Sequence, residues 1–170
     1  MIFFSDFDGT LTLDGKLTRE FFEILDVIQK RGDELIIVSG RSLSWGHFFL
    51  THFPLQYCIM EGGGVVVYRD EAGLIQEKNL VSDAEIKRLE DFTDKLAKNH
   101  PDIPLSKDSF GRRTDRAMEY HEMTEGQLKI AIDLMTEDKI NFSKSNVHIN
   151  FWCGEISKYL GVTKFIKEFR

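Results

Sequence analysis

The sequence has only two cysteines, Cys58 and Cys153, and no Cys-x-x-Cys pair or histidine pair at metal-binding spacing. A disulfide framework needs more cysteines, so we expect two free thiols in a reducing cytoplasm. No stretch approaches the roughly 18 apolar residues of a membrane span. Residues 1–4 are apolar, but Asp6 and Asp8 interrupt them too early for a signal peptide. These absences predict a soluble, cytoplasmic protein without a membrane partner.

Positive charge is scarce, with 22 lysines and arginines against 28 aspartates and glutamates, and a net charge of −6. Proteins that bind nucleic acid present a basic face to the phosphate backbone, so this balance argues against a nucleic-acid partner. A small anionic substrate remains compatible, because a local basic cluster can lie on an acidic protein. The length of 170 residues suits one good core, or a modest core with a small satellite domain.

The first 60 residues alternate between short apolar runs and amphipathic stretches. Buried strands are predicted at Ile2–Ser5, Leu35–Val38 and Tyr57–Met60, and helices at Thr18–Arg31 and Leu43–Leu50. Alternating strands and helices are typical of a parallel sheet in an α/β domain.

The pattern changes after residue 60, where Glu61–Gly64 leads into a predicted antiparallel hairpin of Val65–Tyr68 and Leu74–Gln76. Further on, the sequence predicts helices at 82–99 and 124–137, and strands near 117–121, 140–142 and 147–151. We therefore expect an α/β fold, a Rossmann-like parallel-sheet core with an inserted α+β cap. The predicted domains are a first core part at 1–79, the cap at 80–146 and a return to the core at 147–170.

Two aspartates, Asp6 and Asp8, follow the first predicted strand, and Gly9 comes next. Residues two apart in extended backbone point the same way, and ligands of parallel sheets bind beyond the carboxyl ends of the strands. The carboxylates could bind Mg²⁺ or divide the roles of nucleophile and acid/base, while Gly9 allows a sharp turn toward a ligand. The alternative is that both aspartates are loop and capping residues. An EF-hand calcium loop that starts at Asp6 is excluded, because it would need glycine in place of Leu11 and glutamate in place of Leu17.

The stretch Asp6-Phe7-Asp8-Gly9-Thr10-Leu11-Thr12 resembles the first motif of the haloacid dehalogenase superfamily, and Val38-Ser39-Gly40-Arg41 resembles its second. A lid after the second motif resembles the branch of Cof-type, trehalose-phosphate and mannosyl-phosphoglycerate phosphatases and phosphomannomutases. The resemblance implies a Mg²⁺-dependent phosphomonoester hydrolase that acts on a small phosphorylated metabolite, such as a sugar phosphate, through an aspartyl phosphate. A phosphomutase and a non-catalytic phosphate-binding relative are the alternatives.

By the same resemblance, Asp6 is the nucleophile, Asp8 is the acid/base, and both bind Mg²⁺. The residues that it implies for phosphate binding are Gly9, Thr10, Ser39 and Gly40; Ser39 could also cap the following helix. In the lid, the densest positive cluster is a candidate substrate site, with a solvated face as the alternative; its arginines are Arg112, Arg113 and Arg116, beside Lys107.

The third motif of the superfamily is a lysine near a helix start, for which two lysines compete. Lys158 lies in the first turn of the last predicted helix, and Glu155-Ile156-Ser157-Lys158 approximates the pattern of related sugar phosphatases. Lys164 lies about two turns inside that helix. Lys158 is therefore the preferred residue.

The fourth motif, an acidic GDxxxD-like stretch that supplies further Mg²⁺ ligands, has no counterpart after Lys158. We therefore expect the sheet to be incomplete at its C-terminal end and the edge of its first strand to be open. The leading explanation is a fragment of a longer phosphatase whose missing segment covers that edge. The alternatives are a segment from another polypeptide, such as a second copy, and a weakly active or inactive relative.

Overall fold

The computed structural model describes residues 1–144 and 148–170, in two compact units, Met1–Leu80 with Ser157–Arg170 and Val81–Ile156. In chain order the strands and helices are β1 (Ile2–Ser5), α1 (Arg19–Lys30), β2 (Glu34–Val38), α2 (Leu43–His52), β3 (Tyr57–Met60), β4 (Val65–Arg69), β5 (Ile75–Asn79), α3 (Asp83–Asn99), β6 (Asp115–Met118), α4 (Glu125–Glu137), β7 (Asn141–Lys144), β8 (Ile149–Trp152) and α5 (Lys158–Phe169).

The first unit is a five-stranded sheet in the order β1-β2-β3-β4-β5. Strands β1, β2 and β3 are parallel, and β4 and β5 continue the sheet as an antiparallel hairpin. The β2 run Leu35–Val38 is buried throughout, because helices cover both faces of this strand as in other parallel sheets. The α/β class predicted from the alternating pattern is confirmed. Parallel pairing also brings the carboxyl ends of β1 and β2 side by side, where Ser5 lies opposite Ile37.

Strand β1 forms the edge of this sheet, since in the described part of the chain it pairs with β2 alone. The adjoining surface is apolar: Phe3 of β1 and Val27 of α1 are exposed, and both line a groove of about 590 Å³. An unpaired strand edge beside exposed apolar side chains is a surface that another segment or chain can cover.

The second unit combines helices α3 and α4 with an antiparallel sheet in the order β6-β8-β7. Both helices begin with a capping box, Ser82 with Glu85 and Thr124 with Gln127. Leu89 of α3 and Phe151 of β8 are fully buried in its separate core. None of the helices within the described ranges combines the length and the apolarity needed to cross a bilayer.

The chain returns to the first unit at Ser157, later than the predicted boundary of 147. Strand β8, which was assigned to the returning core, pairs with β6 and β7 and packs Phe151 against Phe92. A strand pattern of alternating side chains indicates a half-buried strand but not which sheet it joins, and this accounts for the difference. Asn146 and Val147, on which the predicted boundary falls, lie outside the described residues.

Candidate active site

Asp6 and Asp8 lie just beyond the carboxyl end of β1, in a tight loop that Phe7 anchors to the core. Phe7 is buried, and its ring centroid lies 4.6 Å from that of Phe49. The Phe7 carbonyl accepts a hydrogen bond of 3.0 Å from the amide of Leu11, which closes the loop. Burying the residue between the two aspartates leaves both carboxylates partly exposed to solvent, with 40% of the Asp6 and 47% of the Asp8 side chain accessible.

Asp6 is in contact with the lysine that the sequence favoured. Its Oδ2 lies 2.6 Å from Nζ of Lys158, and its Oδ1 accepts a hydrogen bond of 2.8 Å from the Phe7 amide. Lys164 lies elsewhere, because its Nζ donates to the backbone carbonyl of Leu80 at 2.6 Å. Of the two competing lysines, the structure therefore brings Lys158 to the predicted nucleophile.

The position of Lys158 depends on a close approach between the start of α5 and the glycine turn after β3. Ser157 caps the helix by accepting from the amide of Leu160 at 3.1 Å. Gly63 has a φ of +112° and lies so close to the Ser157 carbonyl that no side chain would fit. A Cβ on Gly161 would lie 2.7 Å from the Cα of Gly63. Two glycines facing each other thus let the helix carry Lys158 up to the site.

Gly161→Ala is expected to destabilise the protein, although alanine in an unobstructed helix position would stabilise it by about 1 kcal/mol. The new methyl group would meet the backbone of Gly63, which cannot rotate away, so we expect a net loss of about 1–3 kcal/mol. Urea unfolding measures the change. Gly126→Ala is the control, because the nearest neighbour of a Cβ added at Gly126 would be Thr124 Oγ1, at the ordinary contact distance of 3.9 Å. Equal stabilisation by both substitutions would contradict the predicted overlap at Gly63.

Asp8 is held by Arg41, the last residue of the second motif. Arg41 donates from Nε to Asp8 Oδ2 at 2.9 Å and from Nη2 to Oδ1 at 2.7 Å, a bidentate ion pair. The same guanidinium lies over the indole of Trp45, 3.8 Å from the ring centroid. Only the Gly-Arg of the second motif pointed to Arg41, and nothing in the sequence pointed to Trp45.

Ser39 lies at the end of β2 but is fully buried. Its Oγ accepts a hydrogen bond of 3.2 Å from the Arg41 amide. The Ser39 hydroxyl thus helps to fix the loop that carries Arg41, and its role toward a phosphoryl group stays a prediction. Gly40, the next residue, is exposed at the same strand end.

The two phosphate-binding candidates in the first loop differ in what their amides do. Gly9 takes up a φ of +73°, and its amide donates to Thr12 Oγ1 at 3.1 Å, within the loop. Thr10 is exposed, and its amide makes only a long contact of 3.4 Å with the Phe7 carbonyl. Gly9 therefore shapes the turn in this structure, whereas Thr10 faces solvent.

Glu61 is a buried charged residue that the sequence reading missed. It directly follows β3, adopts a left-handed φ of +54°, and accepts at Oε1 a hydrogen bond of 3.0 Å from the Leu43 amide at the start of α2. Ser42, at the capping position of α2, makes no side-chain cap of its own. The Glu61 amide also donates to the Arg41 carbonyl at 2.9 Å. Glu61 therefore fixes the loop between β2 and α2 from the neighbouring strand.

The cap arginines lie in the second unit, and Arg112 is used within it. Arg112 is buried, and its Nη1 and Nη2 donate to Asp115 at 2.9 Å and to Asp108 at 2.7 Å. Burial alone would lower the pKa of Arg112, but the charges and hydrogen bonds of Asp115 and Asp108 outweigh it and leave that pKa raised. Arg116 donates to the carbonyls of Arg112 and Asp115, and Arg113 is half-buried. Arg112 is therefore part of a buried ion cluster within the second unit, and a role in substrate binding stays a prediction.

The oxygen atoms that could hold Mg²⁺ at this site come from the Asp6 carboxylate and the Asp8 main-chain carbonyl. Within residues 1–144 and 148–170, no group of three or more acidic, histidine or cysteine side chains is placed to hold a metal. Mg²⁺ prefers six oxygens and commonly keeps several waters, with one or two carboxylates and substrate phosphate completing its shell. The half-exposed Asp6 carboxylate fits such a sparse site.

The α/β sheet carries two aspartates just after its first strand, with a lysine against one of them, an arrangement in which a carboxylate can act as a nucleophile. A family model described as haloacid dehalogenase-like hydrolase matches residues 3–142. The chain belongs to that family, as its two motifs predicted.

Solved structures resemble the chain in fold at low sequence identity. A Thermoplasma acidophilum protein is 15% identical, with a TM-score of 0.75 over 99% of this chain and 71% of its own. The trehalose-6-phosphate phosphatase C-terminal domain of C. albicans is 16% identical, with a TM-score of 0.66 over 98% of this chain and 61% of its own. A haloacid dehalogenase-like hydrolase from Bacteroides thetaiotaomicron is 18% identical, with a TM-score of 0.69 over 99% of this chain and 76% of its own. No curated protein matches the chain.

Proposed function

We propose that the chain is a phosphomonoester hydrolase that acts on a small phosphorylated metabolite, such as a sugar phosphate, with Mg²⁺ as cofactor. The observation that carries the proposal is the 2.6 Å contact between Lys158 Nζ and Asp6 Oδ2. A carboxylate nucleophile and a phosphate monoester repel each other, and a fixed cation beside the nucleophile offsets that repulsion. The phosphatase named among the similar structures supports the same reaction class.

In the proposed reaction, an oxygen of Asp6 attacks phosphorus and forms an aspartyl phosphate, while the bond from phosphorus to the leaving oxygen breaks. Asp8 is the acid/base: once it has given up a bond to Arg41 and taken up a proton, it donates that proton to the leaving oxygen. The resulting carboxylate then takes a proton from the water that attacks the phosphoenzyme, while the bond between phosphorus and the Asp6 oxygen breaks and phosphate leaves. Lys158 offsets negative charge on Asp6 and on the transferred group. Mg²⁺ bound by Asp6 and by the carbonyl of Asp8 would supply further charge compensation.

A non-catalytic phosphate-binding relative is the second candidate, because the described residues offer only one carboxylate and one carbonyl to a metal at the site. Such a relative would keep Lys158 and the strand ends for binding but would not turn a substrate over. A segment or second copy that covers the β1 edge could complete the site, and we propose that edge as the place where it would add.

The deciding experiment measures phosphate release from a panel of sugar phosphates and other phosphomonoesters, with Mg²⁺ and with a chelator in its place. We expect release that depends on Mg²⁺. Binding of a sugar phosphate in calorimetry without any release would favour the non-catalytic candidate. Conversion of one sugar monophosphate into an isomer, without free phosphate, would identify a phosphomutase instead.

A further inference from the structure

The glycine turn after β3, Glu61–Gly64, is bonded to the second-motif loop, which joins β2 to α2. Its first two amides donate to the carbonyls of Arg41 at 2.9 Å and Ser39 at 3.0 Å. Gly40, the exposed residue between these two acceptors, is one of the residues that the resemblance implies for phosphate binding. The turn therefore holds the backbone on both sides of Gly40.

The same turn also packs against the start of α5, which carries Lys158. A Cβ added to Gly63 would lie 2.2 Å from the Ser157 carbonyl oxygen, and one added to Gly161 would lie 2.7 Å from the Gly63 Cα. Backbone packing of this kind leaves no room for a side chain, and it fixes the distance between the turn and the helix. One short turn thus contacts the two segments that carry Gly40 and Lys158, the groups proposed to hold phosphate.

Glu61 is an unexpected residue at its position in the turn. Three successive residues have a left-handed φ, which is +54° at Glu61, +66° at Gly62 and +112° at Gly63. Glycine adopts such angles without cost, whereas a residue with a Cβ is strained there. A strained residue persists only where the surrounding structure holds it, and such residues cluster at functional sites. The Glu61 side chain is therefore expected to serve a purpose that glycine would not.

The Glu61 carboxylate links the turn to α2. The side chain is fully buried, and its Oε1 accepts a hydrogen bond of 3.0 Å from the amide of Leu43, the first residue of α2. The first amides of a helix have no partner inside the helix, and the helix dipole favours a negative charge beside them. By binding the start of α2, Glu61 holds the far end of the second-motif loop, while the amides of the turn hold its middle.

We propose that Glu61 is a positioning residue for phosphate binding, which holds Gly40 at a fixed distance from Lys158. This inference rests on the proposed hydrolase function. A phosphate group accepts several hydrogen bonds at once, so donors on separate segments bind it tightly only when their spacing is fixed before it arrives. On the α5 side that spacing is set by backbone packing, and on the loop side it depends on the Glu61 carboxylate. Loss of the carboxylate should therefore weaken phosphate binding more than it slows the chemical step.

The test compares the steady-state kinetics of three variants on p-nitrophenyl phosphate with Mg²⁺ present. Glu61→Gly removes the carboxylate without straining the backbone, and we expect KM to rise about three- to tenfold and kcat to change by less than about twofold. Glu61→Gln retains an acceptor for the Leu43 amide, so its KM should stay within about twofold of the wild type. Thr124→Ala is the matched control, because it removes a helix cap from α4 in the second unit and should leave KM unchanged.

A binding measurement without turnover tests the same step with inorganic phosphate as the probe. In calorimetry with Mg²⁺ present, we expect the phosphate Kd of Glu61→Gly to rise by the same factor as its KM, and the Kd of Glu61→Gln and Thr124→Ala to match the wild type. A wild type that neither binds phosphate nor releases it from a substrate would contradict the proposed function itself. If the wild type binds phosphate but Glu61→Gly binds it equally well, if Glu61→Gln binds it as weakly as Glu61→Gly, or if kcat alone falls, the positioning role is overturned.

Amide hydrogen exchange shows whether the effect of Glu61 reaches the second-motif loop. In Glu61→Gly we expect faster exchange at the Leu43 amide, which loses its acceptor, and also at the Gly62 amide, which donates to the Ser39 carbonyl. Thr124→Ala should leave both amides as they are in the wild type. Faster exchange at Leu43 with an unchanged Gly62 amide would confine Glu61 to capping α2 and refute the positioning role.

Discussion

Asp6→Asn is expected to lower the turnover of every phosphomonoester substrate by about 10⁴-fold or more, the order expected when the nucleophile of a covalent mechanism is removed. Asparagine occupies nearly the same volume, but its amide does not attack phosphorus and does not carry the negative charge that pairs with Lys158 at 2.6 Å. Mass spectrometry of the acid-quenched wild type should detect a phosphoryl group on the peptide that contains Asp6, and the variant should lack it.

Asp14→Asn is the matched control for that substitution. Asp14 is exposed and lies on the turn after the loop that carries Asp6 and Asp8, with a left-handed φ of +50° that asparagine also tolerates. We expect wild-type turnover and no change in folding. If Asp6→Asn kept a tenth or more of the wild-type rate while Asp14→Asn was unaffected, Asp6 would not be the nucleophile and the covalent mechanism would be wrong.

The first loop of the candidate site could be predicted because its determinants are local. Two aspartates directly after an apolar strand indicated a pair of carboxylates beyond the carboxyl end of β1, where the structure has both partly exposed. The parallel sheet was equally accessible, since helix and strand periods alternate in order along the chain. Lys158 could be favoured over Lys164 because a helix start is marked in the sequence by its capping serine, Ser157.

What the sequence did not reveal depends on contacts between distant segments. Glu61 reaches the start of α2 from the end of another strand, and Trp45 contacts the site only through the Arg41 guanidinium that lies over its ring. Ser39 is buried, and its hydroxyl accepts a hydrogen bond from the Arg41 amide, which the sequence does not indicate. In each case the sequence shows which side chain is present, but tertiary packing decides whether that side chain faces solvent or bonds to another part of the protein.

The arginine cluster shows what charge density in a sequence leaves open. A cluster of arginines in a sequence suggests anion binding, but Arg112 is followed by Asp115 and preceded by Asp108 at helical spacing. Both carboxylates bind it in the folded second unit, where the three groups offset one another's burial.

Lys158→Met and Lys164→Met are expected to have opposite consequences, although both lysines lie on α5 and each donates to an oxygen at 2.6 Å. The partner of Lys158 is the carboxylate of Asp6. Its side chain and that of Asp6 are nearly half exposed, so the pair contributes only about 0–1 kcal/mol to stability. Its positive charge would act in the transition state, and its loss should lower kcat about 10²- to 10³-fold.

The partner of Lys164 is the backbone carbonyl of Leu80, a buried residue with no part in the proposed reaction. Lys164→Met leaves that carbonyl without its donor, so we expect a loss of stability of about 1 kcal/mol and an unchanged kcat. Urea unfolding and steady-state kinetics on both variants measure the two effects together. Loss of kcat in Lys164→Met with full activity in Lys158→Met would show that the contact with Asp6 is not the functional one.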